Sequence, residues 1–236
     1  MKISIITLFP EMFTGVFGSS IIKRAQEYNH VTINFFNLKD FGIGKHKIVD
    51  DTPYGGGVGM VLKVDVLDTA IQEAKNSQKS LLSQKVILLD PKGRQYTQKI
   101  AQNLTSFDHL ILICGHYEGY DERVRELVDD EISIGDFVMS GGELPAMVLT
   151  ESIIRLIPGV LQKDEAHRFE SFSDEKKGLL EHAQYTRPAV YKDMEVPEVL
   201  LSGNFAKIDE FRAKSAHQTT RKRRPDLLKG EESELS

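Results

Sequence analysis

The chain is poor in cysteine. Cys114 is the only one in 236 residues, which excludes an intramolecular disulfide framework and any zinc site built from several thiolates. No apolar run approaches the roughly 20 residues that cross a bilayer as a helix. The N-terminal run MKISIITLFPEMF has one lysine and a short apolar stretch before Pro10 and Glu11. It is too short and too soon acidic for a secretory leader, and it reads as a first strand. These absences predict a cytoplasmic protein with no membrane contact. Internal repeats and low-complexity tracts are lacking too. What is present suits a folded chain, with 40% apolar and 28% charged residues. A chain of this length forms one large domain, or a main domain with a small one. It buries about 70–75% of its unfolded surface and needs no covalent staples.

The formal charge is −5, but it is unevenly spread. Residues 207–229 carry +5, so the remainder carries −10. An acidic body with a basic end points to a polyanion held at one place. The competing reading of the same charges is a solvated helix face.

Short apolar runs alternate with longer mixed segments. Residues 2–8, 31–38, 85–90, 109–114 and 131–134 are rich in Ile, Val, Leu and Phe and read as strands. The third and fourth are apolar almost throughout, as strands covered on both faces of a parallel sheet are. Residues 19–28, 64–78, 97–107, 120–128 and 143–157 read as helices, the last stopped by Pro158-Gly159. Alternating strand and helix predicts an α/β layer fold with a mostly parallel sheet over residues 1–161. Residues 162–177 are polar, hold two isolated Phe and lack a period, so they read as a linker or mobile loop. Residues 178–236 hold a second apolar set, including Leu179, Leu180, Tyr185, Leu200, Leu201, Phe205 and Ile208. Within them Asn204 is placed to cap a helix reaching about Arg221, with Arg224-Pro225 ending it and a frayed tail EESELS beyond.

Three glycine-bearing segments carry the chemistry. In DDTPYGGGVGM, Gly55, Gly57 and Gly59 invite a dinucleotide-fingerprint reading, but Leu62 stands where the last glycine belongs. There is no Gly-Lys-Ser/Thr either, so a P-loop fails. CGHYEGYDER follows the apolar strand HLILIC directly, and SIGDFVMSGGELP leads from a short strand into a helix. In open α/β sheets, ligands bind beyond the carboxyl ends of strands, where glycine lets backbone approach them. With Asp90-Pro91-Lys92-Gly93 after a third strand, these loops form a pocket rim of backbone groups, apolar surface and carboxylates. Such a rim suits an adenosine-like ligand with a polar tail better than a triphosphate.

PYGGGVGM, CGHYEGYDERV, SIGDFVMSGGELPAM and RLIPGVL resemble the bacterial tRNA (guanine-N1)-methyltransferases of the TrmD type, in the SPOUT superfamily. MKISIITLFPEMF, QYTRP, VPEVLLSGN and RRPDLL match as well, so the resemblance runs along nearly the whole chain. It implies a SPOUT-type sheet with a deep trefoil knot, a small helical C-terminal domain that binds tRNA, and a homodimer whose active site is shared between subunits. It implies methyl transfer from S-adenosyl-L-methionine to N1 of guanosine 37, next to the anticodon. The cofactor loops then hold Leu89 and Pro91; Gly115, Tyr117, Glu118 and Gly119; and Ile134, Gly135, Asp136, Phe137, Val138, Met139, Gly141, Gly142 and Pro145. Asp50 and Arg155 match positions that engage the target region of the tRNA.

The family's general base is an Asp within an Asp-Ser-Phe pattern. Here the matching run is Phe169-Glu170-Ser171-Phe172, so Glu170 takes that position, and three extra residues around Glu175-Lys176-Lys177 precede Gly178. Asp90 stands where the first cofactor loop is expected to carry Ser, and the C-terminal end is short. On this reading Glu170 removes the N1 proton and Arg155 supplies the cation near O6. Glu118 faces either the methionine end of the cofactor or a Mg²⁺ ion, and no resident metal is expected. His116 reads as structural or cofactor-facing, and His167 lacks metal-ligand spacing. Arg221, Arg223 and Arg224, with Arg212, Lys214 and Lys222, are expected on tRNA phosphates. Two rival readings use the same residues: a SPOUT enzyme for another target nucleotide, and a catalytically weakened tRNA-binding homologue.

Overall fold

Strand β1 (Lys2–Thr7) pairs in parallel with β2 (Thr32–Asn37) on one side and β4 (His109–Cys114) on the other. β3 (Gln84–Gln95) pairs in parallel with β4 and with β5 (Asp130–Ser133). The result is a five-stranded parallel sheet in the order β2-β1-β4-β3-β5. This computed structural model describes residues 1–77, 83–162 and 166–228. The chain divides into two compact units, 1–162 and 163–236.

The sheet forms because its central strands β1, β3 and β4 bury apolar residues on both faces. In β4, Leu110, Leu112 and Cys114 pack with Ile3, Ile5 and Ile87 on one face, while Ile111 and Ile113 pack with Ile6, Val86 and Leu88 on the other. Helices α1 (Ser20–Glu27), α3 (Gln98–Leu104) and α4 (Glu143–Ile154) cover the first face. Helix α2 (Val64–Asn76) covers the second with Val66, Leu67, Ala70, Ile71 and Ala74. Fully burying one such Leu, Ile or Val is worth about 1.5–3 kcal/mol. Both faces must be covered, which is the physical content of the α/β class.

The expected elements are there, with shifts that have local causes. The helix expected at 97–107 starts one residue later, because the Thr97 hydroxyl accepts from the Ile100 N–H and caps it. The end expected for α2 at residue 78 lies outside the described residues. The helix expected at 120–128 is a 3-10 helix, Glu122–Leu127. It buries only Val124, and Arg123 and Arg125 on it are drawn to carboxylates, so it lacks the apolar stripe of an α-helix. β3 runs past its expected end. It pairs with β5 up to Leu89 opposite Ile132, resumes with Arg94 opposite the same Ile132, and loops residues 90–93 out of the ladder.

In the second unit, helix α5 (Phe205–Arg223) is capped as expected: Asn204 Oδ1 accepts from the Lys207 N–H at 3.2 Å. An extended strap lies along it, with the Leu180 N–H on Thr220 Oγ1 and the Ala183 N–H on Ser215 Oγ. Of the expected apolar set only Ile208 is buried, while Leu201 and Phe205 are well exposed, because one long helix and a strap make too few layers to enclose them. The segment expected as a linker contains two 3-10 helices, Ala166–Phe169 and Asp174–Lys176. The tail beyond 228 lies outside the described residues.

The sheet also holds a buried histidine. His109 is fully buried, its Nε2 hydrogen-bonded to Ser4 Oγ at 2.8 Å and its Nδ1 without a partner among the described residues. Burial, with a contribution from Lys2, pushes its pKa down to about 4. Between the ordinary value near 6.5 and about 4, the unfolded chain binds a proton that the native chain refuses. Stability contributed at His109 is therefore complete above that window and lost as pH falls through it, by up to about 3 kcal/mol. Urea-unfolding curves at pH 7 and pH 5 measure this. The midpoint falls with pH in the native chain and falls less in His109→Gln; equal falls would refute the assignment.

Candidate active site

Beyond the carboxyl ends of β3, β4 and β5, three loops close around a cavity of about 300 Å³. Leu89, Asp90, Pro91 and Lys92 come from the β3 bulge. Gly115, His116, Tyr117, Glu118, Gly119 and Tyr120 come from the loop after β4. Ile134, Gly135, Phe137, Val138, Met139, Ser140, Gly141, Gly142 and Pro145 come from the loop after β5 and the start of α4. Of the expected cofactor residues only Asp136 is outside this lining; it is exposed.

Backbone hydrogen bonds hold the loops to one another. The Gly142 N–H donates to the Gly115 carbonyl at 2.9 Å, and His116 bridges Gly141. A Cβ at Gly142 would lie 2.6 Å from the Cα of Cys114, so only glycine permits this approach. The glycine loop 55–59 leans on the same structure: the Glu118 N–H donates to the Met60 carbonyl at 3.0 Å, and the Glu118 side chain lies over Gly59. Asp50, half-buried, pairs with Leu62 in a two-residue ribbon, and Leu62 bridges Tyr120. Asp50 is near enough to Tyr117 for its charge to add to the burial that raises the phenol pKa.

Two polar chains run through the wall. In the first, the buried Glu143 carboxylate accepts from the Thr7 hydroxyl at 2.7 Å and lies 2.9 Å from His116 Nε2. In the second, Arg125 meets Asp90 at 3.0 Å, Glu122 at 2.7 Å and Glu131. Asp90 is buried, which raises its pKa, but hydrogen bonds from the Lys92 N–H, Tyr120 and Arg125 more than offset this and hold it below the ordinary range. Burial, then Asp90, pushes the Tyr120 phenol up. Cys114 ends β4 fully buried, and burial drives its thiol well up, so it is packing and not a nucleophile.

The cavity therefore offers apolar walls, backbone polar groups and ionised carboxylates. Arg125 is saturated by carboxylates and Lys92 is exposed, so a polyphosphate finds no free cluster of cations. Among the described residues, no group of three or more His, Cys, Asp or Glu side chains is placed to hold a metal ion.

The model of one protein family, described as tRNA (guanine-1)-methyltransferase TrmD, matches residues 1–230. The chain belongs to this family. It is 56% identical over 229 residues to a tRNA (guanine-N(1)-)-methyltransferase of Bacillus pumilus, covering 97% of this chain and 92% of that protein. A Bacillus subtilis protein of the same name is 55% identical over 230 residues, with 97% and 93% covered. One from Staphylococcus epidermidis is 54% identical over 229 residues, with 97% and 91% covered.

Other residues expected to act in a TrmD-family protein are not among the residues that line the cavity. Arg155 is the C-cap of α4, whose first turn borders the cavity. Twelve residues of helix span about 18 Å, so the two are at opposite ends of one helix. Glu170 is half-buried in the second unit, at the start of a folded turn. There the Phe172 N–H donates to the Leu179 carbonyl at 2.8 Å, and the Glu181 N–H to Ser171 Oγ at 3.0 Å. Of the residues expected as an insertion, Glu175 and Lys176 lie in the 3-10 helix Asp174–Lys176, and Lys177 closes it in a left-handed conformation (φ 50°). Arg221 and Arg223 are exposed at the end of α5, whereas Arg224 is paired with Asp226 at 2.7 Å.

Sequence reading missed Arg125 and Tyr120 as cavity residues. Tyr120 lies in the motif GYDERV and Arg125 follows it directly, but the signal for Arg125 lies in its partners, which come from three separate segments. The Gly142 contact yields a prediction. Gly142→Ala forces backbone against backbone and destabilises by about 1–3 kcal/mol, with loss of ligand binding at the cavity. Gly15→Ala, where a Cβ meets nothing within 4 Å, is the control and stays near neutral. Urea unfolding of both variants measures the difference; equal stability would refute the close approach.

Proposed function

We propose that the chain transfers a methyl group from S-adenosyl-L-methionine to N1 of guanosine 37 in tRNA, acting as a homodimer. The observation that carries this is the three-loop cavity, found in a chain that matches the TrmD family along almost its whole length. The residues present fit the donor. Apolar walls at Leu89, Ile134 and Pro145 suit a nucleoside, backbone groups of residues 115–119 suit its hydroxyls, and carboxylates suit a cationic tail. The deep knot expected of SPOUT proteins belongs to this reading, as do the tRNA-binding role of residues 178–236 and a cytoplasmic location. No described helix is long and apolar enough to cross a membrane.

S-adenosyl-L-methionine, when bound, supplies an electrophilic methyl on its sulfonium. The acceptor is the harder partner, because guanine N1 carries a proton at neutral pH and its lone pair is delocalised in the ring. Glu170 takes that proton, a role worth about 10²–10⁴-fold in rate. Its extra methylene, relative to Asp, moves the carboxylate by about 1 Å, which the refolded 170–179 turn must absorb. Arg155 faces the negative charge that builds toward O6. Because α4 separates Arg155 from its own cavity by about 18 Å, a second copy must supply the arginine. Leu144 and Val148, both exposed, share a helix face that leads toward Arg155 and gives such a pairing an apolar surface. Asp50, near enough to the cavity residue Tyr117 for its charge to act on the phenol, is suited to hold the target nucleotide.

Labelled-methyl transfer to a tRNA transcript with guanosines at positions 36 and 37 tests the proposal. Methylation of that transcript, and none of one with adenosine at 37, is expected. Transfer at another nucleotide would indicate a different SPOUT activity, and tRNA binding without transfer a weakened homologue. Glu170→Gln abolishes turnover while calorimetry still records cofactor binding; normal turnover would refute the base assignment. Arg221→Ala and Arg223→Ala each lower the slope of log affinity for tRNA against log salt by about one. Filter binding between low and high salt measures it, and an unchanged slope would remove these residues from the phosphate contacts.

A further inference from the structure

An arginine lines the cavity, yet the wall that holds it is negative. Arg125 meets three carboxylates, those of Asp90, Glu122 and Glu131, so the cluster keeps two surplus negative charges. Asp90 is the buried member, 8% exposed, and it lines the cavity with Glu122. Hydrogen bonds from the Lys92 N–H and Arg125 keep it ionised. Glu118 and Lys92, also in the lining, offset each other in charge, and Lys92 stands in solvent where its charge is screened.

We propose that this surplus negative charge, with Asp90 as its buried part, makes the cavity select the cationic methyl donor over its neutral demethylated product. The inference rests on the cavity being the cofactor site. S-adenosylmethionine and S-adenosylhomocysteine share the nucleoside and the amino-acid tail, so apolar walls and backbone groups hold both alike. They differ by one methyl and one unit of positive charge at sulfur. Only a fixed field separates them strongly, and the field acts where water is partly excluded. Methyl transfer removes the cofactor's positive charge while the N1 proton passes to the base. The attraction therefore ends with the reaction, and the product leaves a site that the next donor still favours. Asp90 stands where the family resemblance leads to Ser.

Calorimetric titration of the native protein with each ligand tests the inference. S-adenosylmethionine binds more tightly than S-adenosylhomocysteine, and the preference shrinks between about 0.05 M and 0.5 M NaCl. Asp90→Asn, which keeps the shape, lowers the preference by about threefold or more while product affinity stays within about twofold. Equal weakening of both ligands, or an unmoved preference, overturns the inference. Should Asp90→Asn fail to fold, Glu122→Gln at the exposed rim carries the decision: a lowered preference supports the inference and an unmoved one overturns it. A native protein that binds neither ligand overturns the cofactor reading itself, and this inference with it.

Discussion

The backbone contact between Gly142 and Gly115 sits at the centre of the site. β4 is the middle strand of the sheet, and its last residue, Cys114, is fully buried. The first turn of α4 is pressed onto that strand end so closely that a methyl group would not fit between them. The single hydrogen bond contributes only about 1 kcal/mol. Its larger effect is geometric. It fixes the loop after β4 and the loop after β5 to the same rigid point, and the Glu143 carboxylate then reaches both His116 and Thr7. A cavity built from three loops keeps its shape only if the loops are fixed to packed elements, because loops alone do not resist deformation.

What was legible in the sequence follows from what is local. The central strands β1, β3 and β4 show as apolar runs because they are covered on both faces, and periodicity records burial directly. Asn204 shows as a cap because capping involves residues three apart. The loops show as a pocket because glycine at strand ends has few other uses in a parallel sheet. The 90–93 bulge was not legible. Its existence depends on β5 meeting β3 in two registers, and Leu89 and Arg94 carry no local mark of that. Arg125 was hidden for the same reason, since Asp90 is 35 positions away in the chain. In the second unit the apolar residues were legible, but their burial was not. Burial needs a second layer, and composition does not say whether one exists.

The charges of the chain are sorted by the ligand each region suits. The net value of −5 conceals a basic end and an acidic remainder. Arg221 and Arg223 stand exposed at the end of α5, where a polyanion can displace their counterions. The cavity wall has the opposite sign, because Arg125 is outnumbered by its own partners. On the proposed function, a polyanionic substrate and a cationic donor are drawn to surfaces of opposite charge on one protein. A single excess of either sign would attract one and repel the other.

Arg155 illustrates how a local and a functional cause coincide at one residue. The carbonyls at the end of α4 carry partial negative charge, so a cation at the C-cap stabilises the helix in isolation. That cause alone is satisfied by Lys as well as by Arg. Recognition of a developing charge on a planar base is more demanding, because a guanidinium presents its donors in a fixed fork while an ammonium does not. The length of α4 separates these two demands in space. Its N-terminal turn builds the cavity and its C-terminal turn holds the arginine, so on the proposed function one copy of the chain contains both halves of a site without joining them. An apolar face at Leu144 and Val148 runs between the two ends, and in the proposed homodimer its burial against a second copy brings the halves together.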